Sequence, residues 1–179
     1  MHKQKFARES EVIMTEMVLP NDTNPLHNLM GGRMMHLIDI ASAIAAQKHS
    51  NRIVVTASID NVSFEQPVKL GNVITLRANV TRAFNSSMEV YVEVYAEDIP
   101  SGGKVLANKA FVTFVAVDQS GRPIMVPELM PETEAERQLY AGALRRRQLR
   151  LVLAGRMKPE EATELKSLFT ISLVDQPAN

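Results

Sequence analysis

Between residues 72 and 82 the apolar side chains Ile74, Leu76, Ala78 and Val80 alternate with Thr75, Arg77, Asn79 and Thr81. A period of two predicts a strand with one buried face. Residues 89–97 repeat the pattern, with Val90, Val92, Val94 and Ala96 inward and Glu89, Tyr91, Glu93, Tyr95 and Glu97 outward. The intervening 83–88, with Asn85, Ser86 and Ser87, reads as a hairpin connection. Segments 53–64 and 105–117 complete a set of four long strands, and the last, apolar on both faces near its end, is expected inside the sheet. Pro67 and Gly71 mark the turn after the first of these, and Ser101-Gly102-Gly103 the hairpin before the last. Ahead of them, 11–20 (EVIMTEMVLP) fits a short edge strand that ends at a proline.

A different pattern fills residues 33–47 (RMMHLIDIASAIAAQ), which are strong helix formers with no internal glycine or proline. Nearly every face of that helix is apolar, which predicts a rod wrapped by the rest of the fold. His36, Asp39 and Ser42, three apart, form a polar stripe along it. The preceding NDTNPLHNLMGG has the composition of a loop whose side chains bond their own backbone. One antiparallel sheet curled around a central helix satisfies these elements, an α+β architecture. Pro123, Pro127 and Pro131 then break regular structure. Residues 133–154 return to a helical period that stops at Gly155, and a further short helix is expected over 159–169. The division expected is a main domain over 8–130 and a C-terminal helical extension over 131–179.

With 179 residues the chain is long enough for one sizeable core. Lys plus Arg and Asp plus Glu are both 20, so no global field favours a nucleic acid or an anionic membrane. The absence of cysteine removes disulfides, thiolate metal sites and cysteine nucleophiles. No apolar window approaches a signal peptide or a span of about 20 residues, and a cytoplasmic location is expected.

Candidate chemistry concentrates at the start of the helix. Gly31 and Gly32 let a ligand approach the backbone, and free N–H groups at a helix mouth favour negative charge, including a developing oxyanion. The plainer alternative is a tight turn. Asn28 stands just before the glycines and Asp39 seven residues after Gly32. A carboxylate buried on a wrapped helix needs a partner or a task; the structural alternative bonds it to a backbone group or to His36. His27 reads as a solvated loop histidine. No histidine–carboxylate grouping has metal spacing, so no metal is expected.

The runs NDTNPLHNLMGGRMMHLIDIASAIAAQKH, VVTASIDNVSFEQPVKLGNVITLRANV and FVAVDQSGRP closely resemble hotdog-fold acyl-CoA thioesterases of the cytosolic, brain acyl-CoA hydrolase-like branch. The resemblance covers about residues 8–150. It implies a hotdog dimer as the minimum unit, assembled as a trimer of dimers, with active sites at the seams between subunits. It also implies hydrolysis of acyl-CoA to a free fatty acid and coenzyme A, with no cofactor beyond the coenzyme A of the substrate. The catalytic Asn or Asp falls on Asn28, the oxyanion-binding N–H on Gly32 beside Gly31, and the helix acid on Asp39. In the seam, Asp39 of one subunit faces Asn28 and Gly32 of the other. Having no titratable carboxylate, Asn28 can only hold water or polarise the thioester, which leaves Asp39 as the base. Ser86 and Ser87 are where the pantetheine arm is expected to pass. Arg82, Lys104, Lys109 and the cluster Arg145-Arg146-Arg147-Arg150 are the available cations for the phosphates, although a solvated charged face accounts for the cluster. Tyr91 and Tyr95 suit an oligomer interface or cover by the C-terminal helix. A non-catalytic acyl-CoA sensor and an acyl-thioester dehydratase or hydratase are the competing functions.

Overall fold

The computed structural model describes residues 4–174. They fall into two compact units, Met1–Glu132 and Thr133–Asn179. The first contains β1 (Gln4–Phe6), β2 (Val12–Met17), the long helix α1 (Gly31–Ser50), β3 (Ile53–Phe64), β4 (Val73–Ala83), β5 (Ser87–Asp98), β6 (Gly103–Val117) and β7 (Glu128–Met130). Five strands form one antiparallel sheet in the order β2-β4-β5-β6-β3. The alternation read from the sequence holds here. Ile74, Leu76, Ala78 and Val80 of β4, Val90, Val92 and Val94 of β5, and Ala110, Val112, Phe114 and Ala116 of β6 are buried. This is a hotdog fold, with α1 laid along the sheet as its filling.

Two expectations about the helix are corrected. Its first turn includes Gly31 and Gly32, so it begins before residue 33 and runs on to Ser50. Nor is it wrapped. Met34, Leu37, Ile38, Ala41, Ala45 and Ala46 are buried, while His36, Ile44 and Gln47 are exposed and Asp39, Ile40 and Ala43 half-buried. A five-stranded sheet covers one side of a rod of that diameter and leaves the other open. The polar residues do not share a stripe either. Steps of three residues fall about 60° short of a turn, so His36 and Ser42 point about 120° apart. His36 lies in solvent, Asp39 at the margin, and Ser42 in the core, where its hydroxyl donates to Ile38 O at 2.6 Å.

The sequence pattern gave no sign of the small parallel pair β1-β7, whose three-residue strands are too short to show a period. This pair closes the C-terminal end of α1. There Lys5, itself buried, donates to Lys48 O at 2.8 Å and to Asn51 Oδ1 at 2.5 Å. His49 is fully buried beside it with Nε2 2.9 Å from Pro127 O. On the opposite face of the sheet Tyr91 and Tyr95 both donate to Glu93, at 3.1 and 2.9 Å, and Tyr91 packs on Phe111.

The second unit holds α2 (Glu134–Leu153) and α3 (Thr163–Val174). Thr133 and Glu136 cap α2 reciprocally, and Gln148 Oε1 accepts the Leu165 N–H at 3.0 Å, which ties α3 to α2. Residues 175–179 of the expected extension lie outside the described residues. Among the described residues no helix is long and apolar enough to cross a membrane.

Burial holds the His49 imidazole below its ordinary value of 6.5, against the opposing pull of the Pro127 carbonyl, with Lys5 adding to the depression and Glu9 resisting it. Because Pro127 O accepts, Nε2 carries the proton, and Nδ1 is enclosed with no acceptor for a second one. The unfolded chain therefore protonates first as pH falls. The stability contributed by neutral His49 is complete above 6.5 and is lost as pH drops through that value toward the folded one. Urea midpoints measured from about pH 8 to pH 5 are expected to fall more steeply for wild type than for His49→Gln. Parallel curves would remove His49 from the acid response.

Candidate active site

The loop before α1 is held by its own polar groups, as its composition predicts. Asn24 is its centre: Oδ1 accepts the N–H groups of Leu26 and Asn28 at 3.0 and 3.1 Å, and its backbone N–H donates to Asn28 O at 2.8 Å. Two N–H donors fix which end of the amide faces the loop, so the Asn24 NH2 points away from it. His27 takes a left-handed conformation, φ 58°, and stands in solvent. Asn28 bridges to Lys69, and Leu29 N–H donates to Val68 O at 2.7 Å, which fastens the loop to the chain entering β4. Met30 N–H donates to Asp22 O at 2.9 Å, and Arg33 Nε lies 2.9 Å from Asp22 Oδ1. The Asn28 side chain makes no hydrogen bond among the described residues.

This frame delivers the helix with its N-terminus bare. Met30 is the N-cap and supplies no side-chain cap. Met34 N–H is the first to bond back, to Met30 O at 3.0 Å, so the amides of Gly31, Gly32 and Arg33 stay outside the helical ladder. Both glycines are exposed. A Cβ placed on Gly32 would meet no atom within 4 Å, and one on Gly31 would meet only the Phe64 ring, at 3.5 Å. Packing inside this chain therefore does not require either glycine. The open space over Gly32 leaves its amide accessible at the positive end of the helix dipole.

Asp39 is half-buried rather than enclosed, and its partner is Thr56 of β3, whose Oγ1 donates to Oδ1 at 2.7 Å. His36 is not that partner. Seven residues separate Asp39 from Gly32, about 10 Å along the axis, so within one chain the carboxylate and the bare amide face different points. Ser86 and Ser87 are further away. Ser87 pairs with Val115, whereas the strand residue beside the helix mouth, Phe64, pairs with Asn108. The intervening stretch of β6 spans about 20 Å. Arg82 shares the distant end, its guanidinium 5.5 Å from the Phe84 ring. Within the chain the structure thus brings Asn28, Gly31 and Gly32 together, and leaves Asp39, Arg82, Ser86 and Ser87 apart from them. A depression lined by Gln47, Asn51, Arg52 and Ile53 lies at the other end of α1.

Sequence reasoning passed over Asn24, Thr56 and Phe64. Asn24 carried a signal, since an Asn two residues ahead of Leu26 and four ahead of Asn28 suits an Asx-type loop. Thr56 and Phe64 sat in an apolar strand run with nothing to distinguish them.

A family model described as the thioesterase superfamily matches residues 26–102. An uncharacterized acyl-CoA thioester hydrolase of Bacillus subtilis, YkhA, is 42% identical over 142 residues, 79% of this chain and 83% of its own. The chain belongs to the thioesterase superfamily. Among solved structures, an apo-hexameric acyl-CoA thioesterase superposes with a TM-score of 0.82 at 41% identity, covering 85% of this chain and 97% of that one. The acyl-CoA hydrolase of Staphylococcus aureus, solved with butyryl coenzyme A, coenzyme A and coenzyme A disulfide, gives 0.75 at 36% identity and covers 97% and 99%. That hydrolase has also been solved with alanine replacing an asparagine, an aspartate 15 residues beyond it and a threonine 17 beyond the aspartate.

An alanine at Gly32 is expected to leave the fold intact, with a urea midpoint equal to or above wild type, because the new Cβ enters open space and alanine is the better helix former by up to about 1 kcal/mol. A marked drop in midpoint would show that the thioesterase fold itself, and not a ligand, needs the glycine.

Proposed function

We propose that this chain is an acyl-CoA thioester hydrolase whose active site is completed by a second copy of itself. The observation that carries the reading is the bare mouth of α1, uncapped, with Gly31 and Gly32 exposed and open space over Gly32, in a chain otherwise so close to acyl-CoA hydrolases. The thioester oxygen sits against the Gly32 N–H, which receives the charge that builds as water attacks the carbonyl carbon. The axial distance of about 10 Å supports a carboxylate from a second chain as the group that takes the water proton. The C–S bond then breaks, leaving a free acid, and the thiolate is protonated to give coenzyme A.

Asn24 is the better choice than Asn28 for the amide that holds the substrate. Its carbonyl end is occupied by two backbone donors, so its NH2 is preorganised, whereas nothing fixes the Asn28 side chain. Spacing supports the same choice: Asn24, Asp39 and Thr56 are 15 and 17 residues apart, as are the residues altered in the Staphylococcus aureus enzyme. Thr56 then holds one Asp39 oxygen and leaves the other for water. Arg82, Ser86 and Ser87 meet a substrate at this mouth only if they come from another copy. Oligomerisation is supported by the uncovered side of α1 and by the edge strand β3, where Ile53 and Val55 are exposed. Two solved relatives are hexameric, and a trimer of dimers is the assembly expected here.

Thiol release from butyryl coenzyme A, followed colorimetrically, tests the activity; binding without release would make the protein a sensor. Asp39→Asn is expected to lower kcat by about 100-fold or more, the usual scale for a general base. Asn24→Ala should cost a comparable factor and Asn28→Ala less than about tenfold, since removing a preorganised donor costs about 100-fold in other enzymes. The reverse order would return the role to Asn28. Light scattering should report a particle larger than one chain, and a monomer with full activity would contradict the shared site.

A further inference from the structure

Asn108 is fully enclosed, and neither its Oδ1 nor its Nδ2 has a hydrogen-bond partner among the described residues. It occupies the face of β6 that carries Ala110, Val112, Phe114 and Ala116, the buried face of the strand. Its cross-strand neighbours are Val94 on β5 and Phe64 on β3. An amide in that row offers two donors and an acceptor to nothing, and leucine would fill the same space without a desolvation cost. Its presence makes sense only if something outside the chain meets it.

Two features connect Asn108 to the helix mouth. The β5-β6 register shifts immediately before it, with Tyr95 opposite Leu106 and Val94 opposite Asn108, so Ala107 is the extra residue of a bulge that sets which way the amide faces. Its neighbour Phe64 stands on the sheet edge, 60% exposed, with its ring against Gly31. Rotation of that one exposed side chain opens a route from the Gly31–Gly32 amides to Asn108, one strand spacing of about 4.8 Å further in. That step corresponds to a few carbon atoms of an acyl chain.

We propose that Asn108 is a specificity-determining residue that hydrogen-bonds an oxygen on the acyl chain, so that the protein selects acyl thioesters carrying a hydroxyl or keto group near the carbonyl over plain alkyl ones. The inference rests on the reading of the helix mouth as the thioester site. Its test is kcat/KM for 3-hydroxybutyryl coenzyme A and butyryl coenzyme A in wild type and Asn108→Leu, with Asn108→Ala as a second variant if the first does not fold. Wild type is expected to favour the hydroxylated substrate, and the ratio to fall by about tenfold or more in the variant, because a site built for a polar group discriminates through the bond it would otherwise leave unmade. A ratio unchanged within about twofold, alongside normal turnover of butyryl coenzyme A, would overturn the assignment and leave Asn108 bonded to an internal water only. Thiol release from neither substrate by wild type would sink the hydrolase reading, and this inference with it.

Discussion

One sheet of five strands can bury only one side of a twenty-residue helix, and the rest of the structure follows from that limit. The covered side of α1 takes the small and aliphatic residues, Ala41, Ala45, Ala46, Leu37 and Ile38. Its open side keeps His36, Ile40, Ala43, Ile44 and Gln47 in a line that recurs every three or four residues, flanked by Asp39. Beside that line the edge strand β3 exposes Ile53 and Val55 and its unpaired backbone. The apolar members of that line, Ile40, Ala43 and Ile44, and the apolar strand edge beside them form a surface of the kind that proteins ordinarily cover. On the proposed reading a second copy would cover it and bring its Asp39 carboxylate across the seam, so the surface left open for assembly and the chemistry would be one feature.

The two ends of α1 are treated in opposite ways. At the C-terminus the orphan carbonyls are met by the Lys5 ammonium, a left-handed Asn51 (φ 54°) closes the last turn, and His49 anchors to Pro127. At the N-terminus the loop's polar side chains satisfy one another: Asp22 holds Arg33 and accepts the Leu19 N–H, and Asn24 holds Leu26 and Asn28. None is spent on the helix. An uncapped helix start usually costs about 1 kcal/mol relative to a Ser, Thr, Asn or Asp cap, and here such residues lie within six positions of the mouth. Donors left uncapped amid so many available acceptors are what the proposed reading uses, with an outside oxygen as their partner.

Much of this was legible in the sequence. The alternation of β4 and β5 fixed their buried faces residue by residue, and the composition of NDTNPLHNLMGG foretold a self-bonded loop. The failures have physical causes. Near-uniform apolarity of α1 suggested full burial, because hydrophobicity does not distinguish a face covered by its own chain from one covered by another copy. Asn24 and Asn28 are chemically identical in a string of letters, and the preference for Asn24 proposed above rests on contacts that no sequence pattern displays. In β3 two irregularities, between Thr56 and Ser58 and between Asp60 and Ser63, break the period of two. Thr56, Ile59 and Phe64 therefore share the helix-facing side, which simple alternation would never group.

Those irregularities also shorten the distance between the two positions of β3 that meet Asp39 and Gly31. Eight residues of extended chain cover about 26 Å, whereas the eight residues of helix from Gly31 to Asp39 rise about 12 Å. The two bulges cut that advance to the six ladder steps from Phe114 to Asn108, about 20 Å, and the Thr56 and Phe64 side chains reach over part of the remainder. Each bulge takes up a residue without advancing the ladder and adds local twist, so β3 bends across the helix and is shortened where it passes. The cost is a weakened ladder on an edge strand, and the return is two contacts, Thr56 with Asp39 and Phe64 with Gly31, that set the acid and the wall of the mouth from one element. On the proposed reading those two contacts serve different sites, since Asp39 acts at the mouth of a second copy, so one strand positions the acid of one site and the wall of another.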